Sequence, residues 1–565
     1  MSDEPATLVH ALARRALEAP EAVAFRTVVE GGAAQARSWT WSEWRRDAEA
    51  VARGLRALGT RPGDRVAILS GNTPVWPLAD LGILAAGAVS VGLYPTSAPG
   101  QVREILEDAE VGRVFVDGAD QLEKVREIAP DVPTLRHLIV AGEARPGAGP
   151  SSGRPRETSL EALMAMEGGE TPPLPDPEAD AMLIYTSGST GRPRGARLTH
   201  ATLVASAASV RDTLGLRPGD RMLSFLPFCH AAERIFGQAT RLVVGMEAGL
   251  VPDPALVFEA AAAFRPTVFG GLPRFYEKIH EAELAERGSM APPPSAVLER
   301  MTGGEVRVAT SGGASLPREV AEGLTRIGLE VLGAYGLTEH LCCTFNRPGD
   351  ARFDDVGPPM PGTELRIAED GEILVRRSIL TFSGYHGRVS DTRDAFTEDG
   401  EWLRTGDLGR LDEEGRLAVI GRKKELLALS TGKKVAPLPI EARLVDRPWI
   451  DQAVLVGEGR KFVGALLGLR RPVVETWARG QGIALPWSRL IRDPRVRDRV
   501  EAQVAEVNAG LSRTESVRRF EILSEPLTVE SGELTPTLKL RRDVILARRS
   551  EAVDGLYGAG TEAAT

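Results

Sequence analysis

A chain of 565 residues exceeds what one ordinary hydrophobic core organises, so two domains are the default. With 42% hydrophobic and 26% charged residues the composition excludes a disordered chain, and three cysteines exclude a disulfide framework and favour a reducing, cytoplasmic setting. The net charge of −9 is unevenly spread: 25 basic and 19 acidic residues between Arg422 and Thr565 leave that stretch at +6 and residues 1–421 at −15.

The acidic N-terminal segment Met1-Ser-Asp-Glu-Pro5 does not resemble a signal peptide, and no export is implied. Thr40-Trp-Ser-Glu43 is a capping-box pattern, after which Trp44, Ala48, Val51, Ala52, Leu55 and Leu58 recur at helical spacing until Gly59. An amphipathic helix is predicted there. Strand and helix then alternate: a strand over Arg65 to Leu69, a helix around Val75 to Ala86, a strand over Val89 to Leu93, a helix from Gln101 to Glu110, a strand over Val114 to Asp117. That order predicts an α/β fold with mostly parallel sheets covered by helices and ligands at the carboxyl ends of the strands. The longest uncharged apolar run, Leu81 to Tyr94, falls short of the ~20 residues a membrane span needs, and peripheral contact with a bilayer stays open. Gly142 to Pro172 is rich in Pro, Gly and Ser and reads as a surface connection.

Ala181 to Tyr185 is a short apolar run suited to a buried strand. It leads into a stretch where the hydroxyls of Thr186, Ser187, Ser189 and Thr190 alternate with Gly188 and Gly191, followed by Pro193 and Arg194. Such a loop can turn its backbone N–H groups inward as a nest for phosphate oxygens, with Arg194 adding a charge-assisted hydrogen bond. Taken on residue types alone, a flexible surface loop is an equal reading, because the Gly-Lys-Ser/Thr ending of a P-loop is absent. A helix from Thr199 to Leu214 and a strand from Arg221 to Phe225 come next, ending at Leu226-Pro-Phe-Cys-His-Ala-Ala-Glu-Arg234. Gly270 and Gly271 in Phe264-Arg-Pro-Thr-Val-Phe-Gly-Gly-Leu-Pro-Arg-Phe-Tyr-Glu-Lys278 let backbone approach an extended ligand or simply pack two elements closely.

Further on stand Ala309-Thr-Ser-Gly-Gly-Ala-Ser-Leu-Pro317 and Leu332-Gly-Ala-Tyr-Gly-Leu-Thr-Glu339, both read as strand-end loops. Gly371 to Arg376, Phe382 to Tyr385 and Trp402-Leu-Arg-Thr-Gly-Asp-Leu408 come next, the last with a carboxylate after a Thr-Gly turn. Beyond a strand over Arg416 to Ile420 lie Gly421-Arg-Lys-Lys-Glu-Leu426, Ser430-Thr-Gly-Lys-Lys-Val-Ala-Pro437 and Ser531-Gly-Glu-Leu-Thr-Pro-Thr-Leu-Lys-Leu-Arg-Arg542. The cations of this tail are scattered with no aromatic platform, which argues against nucleic acid. A lid that meets polyanionic nucleotides and a plain solvated face both fit them.

Tyr185-Thr-Ser-Gly-Ser-Thr-Gly-x-Pro-x-Gly195 followed by Leu-Thr-His200 resembles the signature loop of the adenylate-forming enzymes, and the other motifs stand in that family's order over about residues 40–545. Long-chain fatty acyl-CoA synthetases of bacteria are the most similar branch. The resemblance implies a large N-terminal adenylation domain (1–421), a hinge (422–426) and a small mobile α+β C-terminal domain (427–565). It implies that ATP, Mg²⁺ and CoA are used, with a fatty acid as the other small-molecule substrate. Gly312, Gly313 and Ala314 would border the adenine, Tyr335, followed by Gly336, would stack on it, and Thr338 would touch the α-phosphate. Glu339 would hold Mg²⁺, Asp407 both ribose hydroxyls, and Arg422 ribose or phosphate. His230 would lie beside the acyl carboxylate, although a lone histidine is more often structural, and Gly270 and Gly271 would border the acyl tunnel. Lys424 aligns with the hinge position, Gly432 and Lys433 with the loop that lines the thiol tunnel, and Lys539 with the catalytic lysine. Two positions depart: Arg377 stands where the family usually has Gly, and Arg194 where it usually has Lys, so Arg194→Lys is expected to be tolerated or to improve adenylation.

The resemblance leaves a homodimer open. Competing functions are an amino-acid-activating module, which would want an acidic residue between Phe228 and Ala232 and lacks one, an acyl-AMP ligase serving a carrier protein, and a non-catalytic acyl or nucleotide sensor.

Overall fold

The computed structural model describes residues 4–28, 37–147, 154–167, 174–186, 193–287, 294–314, 316–535 and 540–558. The capping box forms as its spacing dictates: Glu43 N donates to Thr40 Oγ1 at 3.2 Å, Thr40 N donates to Glu43 Oε2 at 2.9 Å, and the helix Trp41–Ala57 starts there. Its apolar face buries Trp41, Trp44, Ala48, Val51 and Leu55 against the helix Val75–Ala85. The approach is tight because Gly82 has no side chain; a Cβ there would stand 2.3 Å from Val51 Cγ1.

One eight-stranded sheet runs, in spatial order, Gly384–Tyr385, Arg194–Thr199, Asp180–Thr186, Val89–Leu93, Arg65–Leu69, Arg113–Asp117, His137–Ala141 and Arg156–Ser159. It is parallel from Asp180–Thr186 through Arg156–Ser159 and antiparallel at its first two pairings. Alternation along Arg65–Leu69 sorts its faces: Val66 and Ile68 join the core built on the helix Trp41–Ala57, while Ala67 and Leu69 pack under the helices Pro99–Asp108 and Ala119–Ile128. A second eight-stranded sheet runs His340–Phe345, Val331–Leu337, Val308–Ser311, Val268–Gly271, Arg221–Ser224, Glu247–Leu250, Val23–Thr27 and Ser38–Thr40, parallel except for the pairings at its two ends. The main core, with Trp41, Trp44, Trp76, Leu203, Leu242 and Phe345, draws on both sheets; Val257, Tyr276, Ile279 and Leu324 form another core. A third, antiparallel sheet holds Leu365–Ile367, Glu372–Arg376, Trp402–Leu411 and Leu417–Arg422.

From Leu427 onward the chain builds cores of its own, around Leu444, Val463, Val496 and Val500 and around Val454, Leu466 and Ile545, on the sheet Ile450–Val456, Val463–Leu469 and Val517–Ile522. Arg542 ties this part together and reaches back, pairing with Glu441 and lying 3.4 Å from Glu425. No helix among the described residues is long and apolar enough to cross a membrane, and Cys229, Cys342 and Cys343 are buried free thiols.

Three local expectations are corrected. Part of Gly142 to Pro172 is the strand Arg156–Ser159 and the helix Leu160–Met164, because Ser159 caps the helix and Leu160 and Leu163 are buried. Tyr335 and Gly336 lie within the strand Val331–Leu337, whose antiparallel partner begins at His340. Asp407 likewise sits inside the strand Trp402–Leu411, where Gly406 at φ +71° and shifts of register make an irregularity rather than a chain-reversing turn.

Candidate active site

The loop read as a phosphate cradle is strung between antiparallel strands in which Thr186 and Arg194 are direct partners. Ser187, Gly188, Ser189, Thr190 and Gly191 lie outside the described residues. Both approaches to the loop are held from elsewhere. The Tyr185 hydroxyl donates to Asp108 Oδ2 at 2.7 Å, and Arg388 Nη2 donates to Asp108 Oδ1 at 2.7 Å and to Pro193 O at 3.3 Å. Burial, and then the hydrogen bond to Asp108, push the Tyr185 phenol well above its usual range, so it stays a proton donor.

Arg194 Cζ stands 4.5 Å from the ring centre of Tyr385, and its Nη1 is 3.9 Å from Asp391 Oδ2. Its buried Nε has no hydrogen-bond partner among the described residues, an orphan donor of the kind an incoming anion satisfies. The Tyr385 hydroxyl in turn donates to Glu339 Oε1 at 2.5 Å.

Thr338 and Glu339 form the two-residue turn between Val331–Leu337 and His340–Phe345, with Leu337 opposite His340. The Glu339 carbonyl accepts Phe382 N at 2.9 Å. Gly336 sits where this hairpin is tightest, since a Cβ would meet Leu341 O at 2.5 Å. The donor chemistry at Glu339 fits Mg²⁺: a hard carboxylate oxygen is what this ion takes from protein when phosphates and water complete its shell. Among the described residues no group of three His, Cys, Asp or Glu could cage a metal unaided.

Three residues before that turn, Tyr335 donates its hydroxyl to Asp407 Oδ2 at 2.7 Å, while Arg422 Nε lies 2.9 Å from Asp407 Oδ1. The strand irregularity aims Asp407: its N donates to Thr405 Oγ1 at 3.1 Å, Thr405 Oγ1 donates to Ile373 O at 2.7 Å, and Gly406 N donates to Glu372 Oε1 at 3.0 Å. Burial, then the charge of Asp407, raises the Tyr335 phenol far above its usual range. Gly312, Gly313 and Ala314 leave the end of the strand Val308–Ser311, where Ser311 pairs with Gly333, so they emerge beside the Tyr335 strand. Gly313 has φ +80°, which a side chain would disfavour.

His230 lies in the turn after Arg221–Ser224, half-buried, its Nδ1 accepting Ala232 N at 3.2 Å. The segment beyond it is more deeply built than its motif suggested. Glu233–Ala239 is a π-helical turn that buries Glu233 and Arg234. Arg234 makes two contacts of 2.7 Å with Asp80, Glu233 bonds Ser224, and Arg241 bonds Gln238. Burial pushes Glu233 up to about 7 and lowers Arg241 to about 9. Gly270 and Gly271 end the strand Val268–Gly271, with Phe225 and Phe275 packed 4.7 Å apart beside Gly271.

Lys424 is exposed in the short 3-10 turn Lys423–Glu425, next to Lys423, which pairs with Asp370 and Glu372 at 2.5 and 2.9 Å. Gly432, at φ +78°, turns the ribbon Leu427–Ala428 to Lys434–Val435, and Lys433 Nζ lies 3.1 Å from Thr514 Oγ1. Lys539 is outside the described residues. Hydrogen bonds, ion pairs and a cation–ring contact thus gather Tyr335, Asp407 and Arg422 in one set and Arg194, Tyr385 and Glu339 in another, each set reaching the same hairpin through Tyr335 or Glu339. Tyr385 and the Glu233-Arg234 pair stand inside motifs legible in the sequence, but the sequence assigned them no task; their position in those motifs was the available signal.

Comparison with known proteins gives consistent results. A family profile described as AMP-binding enzyme matches residues 12–386, and one described as AMP-binding enzyme C-terminal domain matches residues 424–561. The chain is 34% identical to long-chain-fatty-acid–CoA ligase FadD15 of Mycobacterium tuberculosis across 95% of each chain. It is 30% identical to the peroxisomal long chain acyl-CoA synthetase 7 of Arabidopsis thaliana, covering 92% of this chain and 82% of that one. Among solved structures, the adenylation domain of a carboxylate reductase from Mycobacterium chelonae superposes with a TM-score of 0.80 at 24% identity, over 98% of this chain and 91% of that one. The anthranilate CoA ligase AuaEII, solved with anthranoyl-AMP, gives 0.76 at 22% identity over 97% of both.

Proposed function

The chain belongs to the AMP-binding enzymes, and from that membership we propose that it activates a long-chain fatty acid with ATP and transfers the acyl group to CoA. It is a ligase that forms acyl-AMP and then a thioester. The observation that carries the reading is the shared hairpin: Tyr335 on its strand reaches Asp407, and Glu339 in its turn meets Tyr385 and, beyond that ring, Arg194. Full-length likeness to FadD15 supports the long-chain acid as substrate.

In this reading an oxygen of the fatty carboxylate attacks the α-phosphorus, the bond to the bridging oxygen of pyrophosphate breaks, and acyl-AMP remains. Asp407 accepts the ribose hydroxyls with Arg422 beside it, and Gly312 to Ala314 and Tyr335 border the adenine. The 187–191 loop and Arg194 hold the departing phosphates, Thr338 meets the α-phosphate, and Lys539 offsets the charge that builds between carboxylate and phosphate. Mg²⁺ carried by Glu339 would supply neutralisation of phosphate charge. His230 lies at the acyl carboxylate, and Gly270 and Gly271 line the chain's tunnel. The segment 427–565 then reorients about 422–426, with Lys424 as the pivot and Gly432 and Lys433 lining the thiol path. The CoA sulfur, its proton lost, attacks the acyl carbon; the bond to the AMP oxygen breaks and AMP leaves. A panel of free acids of increasing length, assayed for CoA-dependent AMP formation, tests the reading. Activity should peak with long chains, and a peak at short or aromatic acids would refute the substrate class.

A further inference from the structure

We propose that Tyr385 is a positioning residue that couples the phosphate-loop arginine to the metal-binding carboxylate, and that Arg194 is an arginine because this platform takes a planar cation. The inference rests on the proposed function, in which Arg194 meets phosphates and Glu339 meets Mg²⁺. Tyr385 is 6% exposed and serves both groups at once: its ring lies 4.5 Å under the Arg194 guanidinium carbon, and its hydroxyl donates to Glu339 Oε1 at 2.5 Å.

The platform itself is held from three sides. Tyr385 pairs with Ala196 in the sheet, its N donates to Thr392 Oγ1 at 2.8 Å, and the Phe382 ring meets it edge-on at 4.9 Å. Thr392 comes this close because Gly384, at φ +124°, has no side chain; a Cβ there would stand 2.6 Å from Thr392 Cγ2. The same segment carries Asp391, 3.9 Å from Arg194 Nη1, and Arg388, which donates to Pro193 O. A guanidinium can lie flat on a ring while its in-plane N–H groups still point at an anion, whereas an ammonium on a flexible stem is a point charge with no face to stack. A buried Arg194 Nε without a partner among the described residues leaves one such donor for phosphate. The expectation that Arg194→Lys is harmless is therefore replaced by its opposite.

The test uses the full-length enzyme and the variants Tyr385→Phe, Tyr385→Leu, Arg194→Lys, the Arg194→Lys/Tyr385→Leu double and Glu339→Gln. Pyrophosphate release is measured against Mg²⁺ and against ATP, and Mn²⁺ binding beside a non-hydrolysable ATP analogue is read by electron paramagnetic resonance. Tyr385→Phe keeps the ring and loses the hydroxyl, so it should weaken Mn²⁺ binding and raise the Mg²⁺ requirement about tenfold, with KM for ATP at saturating Mg²⁺ little changed. Arg194→Lys should raise KM for ATP about threefold to tenfold. Tyr385→Leu should do both, and the double variant should add nothing to the ATP effect of Tyr385→Leu. Melting curves report folding; if Tyr385→Leu does not fold, the Tyr385→Phe and Arg194→Lys arms decide. Unchanged metal dependence in Tyr385→Phe while Glu339→Gln alters it, unchanged KM in Arg194→Lys, or fully additive effects in the double variant would each overturn the proposal. If Glu339→Gln itself leaves Mn²⁺ binding and Mg²⁺ dependence untouched, the assignment of Glu339 to the metal is what fails.

Discussion

Two arginine–carboxylate sets in this chain are built on opposite plans. In the first, Arg234 and Asp80 are 3% and 0% exposed, joined by one hydrogen bond and a second ion-pair contact, with Gln238 at 3.4 Å and Trp76 alongside. In the second, Asp407 is 6% exposed but its partner Arg422 is 53% exposed, and Tyr335 donates to the other carboxylate oxygen. A pair buried on both sides faces no solvent and holds elements together. A buried carboxylate whose cation stands half in solvent can exchange that cation for the donors of a ligand. The residue types are the same, so the distribution of solvent is what distinguishes the closed pair from the one proposed to bind ribose.

Removing Asp80 tests the closed plan most severely. Asp80→Ala strands the Arg234 guanidinium in the core and should cost about 3–5 kcal/mol in denaturant-induced unfolding. A loss of under about 1 kcal/mol, the range of a surface pair, would erase the contrast. On the open side, a cation aimed at charge that exists only during reaction should act on one half-reaction. Lys539→Ala should slow acyl-AMP formation by about 10²–10³ yet still make thioester from supplied acyl-AMP and CoA. Lys424→Pro should do the reverse, sparing adenylation and slowing thioester release. Equal losses in both half-reactions for Lys539→Ala would remove the two-pose assignment.

Asp407→Ala should weaken ATP binding by about 1.5–3 kcal/mol, measured by calorimetry, because a charged acceptor for the ribose is lost. Unchanged affinity would move the ribose elsewhere. A pH-dependent effect belongs to Glu233, whose carboxyl burial raises from 4.5 to about 7. As pH rises from 4.5 towards 7 the unfolded chain releases this proton before the folded one does, so Glu233 lowers stability across that window and its cost is constant above it. Glu233→Gln should flatten the corresponding slope in unfolding free energy against pH. A slope unaltered by the substitution would assign the window to another group.

Much of the scaffold was legible because its signals are local. The capping box at Thr40 to Glu43, the short apolar run of Arg65–Leu69 and the strand–helix order to Asp117 each depend on residues within a few positions. The resemblance marked Arg194, Glu339, Tyr335 and Asp407 as a group, whereas residue types and spacing alone left the loop an even choice between a phosphate cradle and a plain surface loop. Composition misled where Pro and Gly dominated, as over Gly142 to Pro172, because Ser159 and two buried leucines outweigh the average of the stretch.

Sequence alone determined the α/β class and the adenylate-forming resemblance, and through that resemblance it nominated the candidate ligand-binding residues. Only the tertiary structure decided which side chains complete one another. Tyr385 meets Glu339 across 46 positions, and Arg388 meets Pro193 across 195. Burial of the Asp80–Arg234 pair and exposure of Arg422 depend on how layers pack. Such contacts depend on where folding brings distant segments, and hydrogen bonds and ion pairs draw their strength from the solvent excluded there, a property of the assembled layers rather than of any stretch of chain.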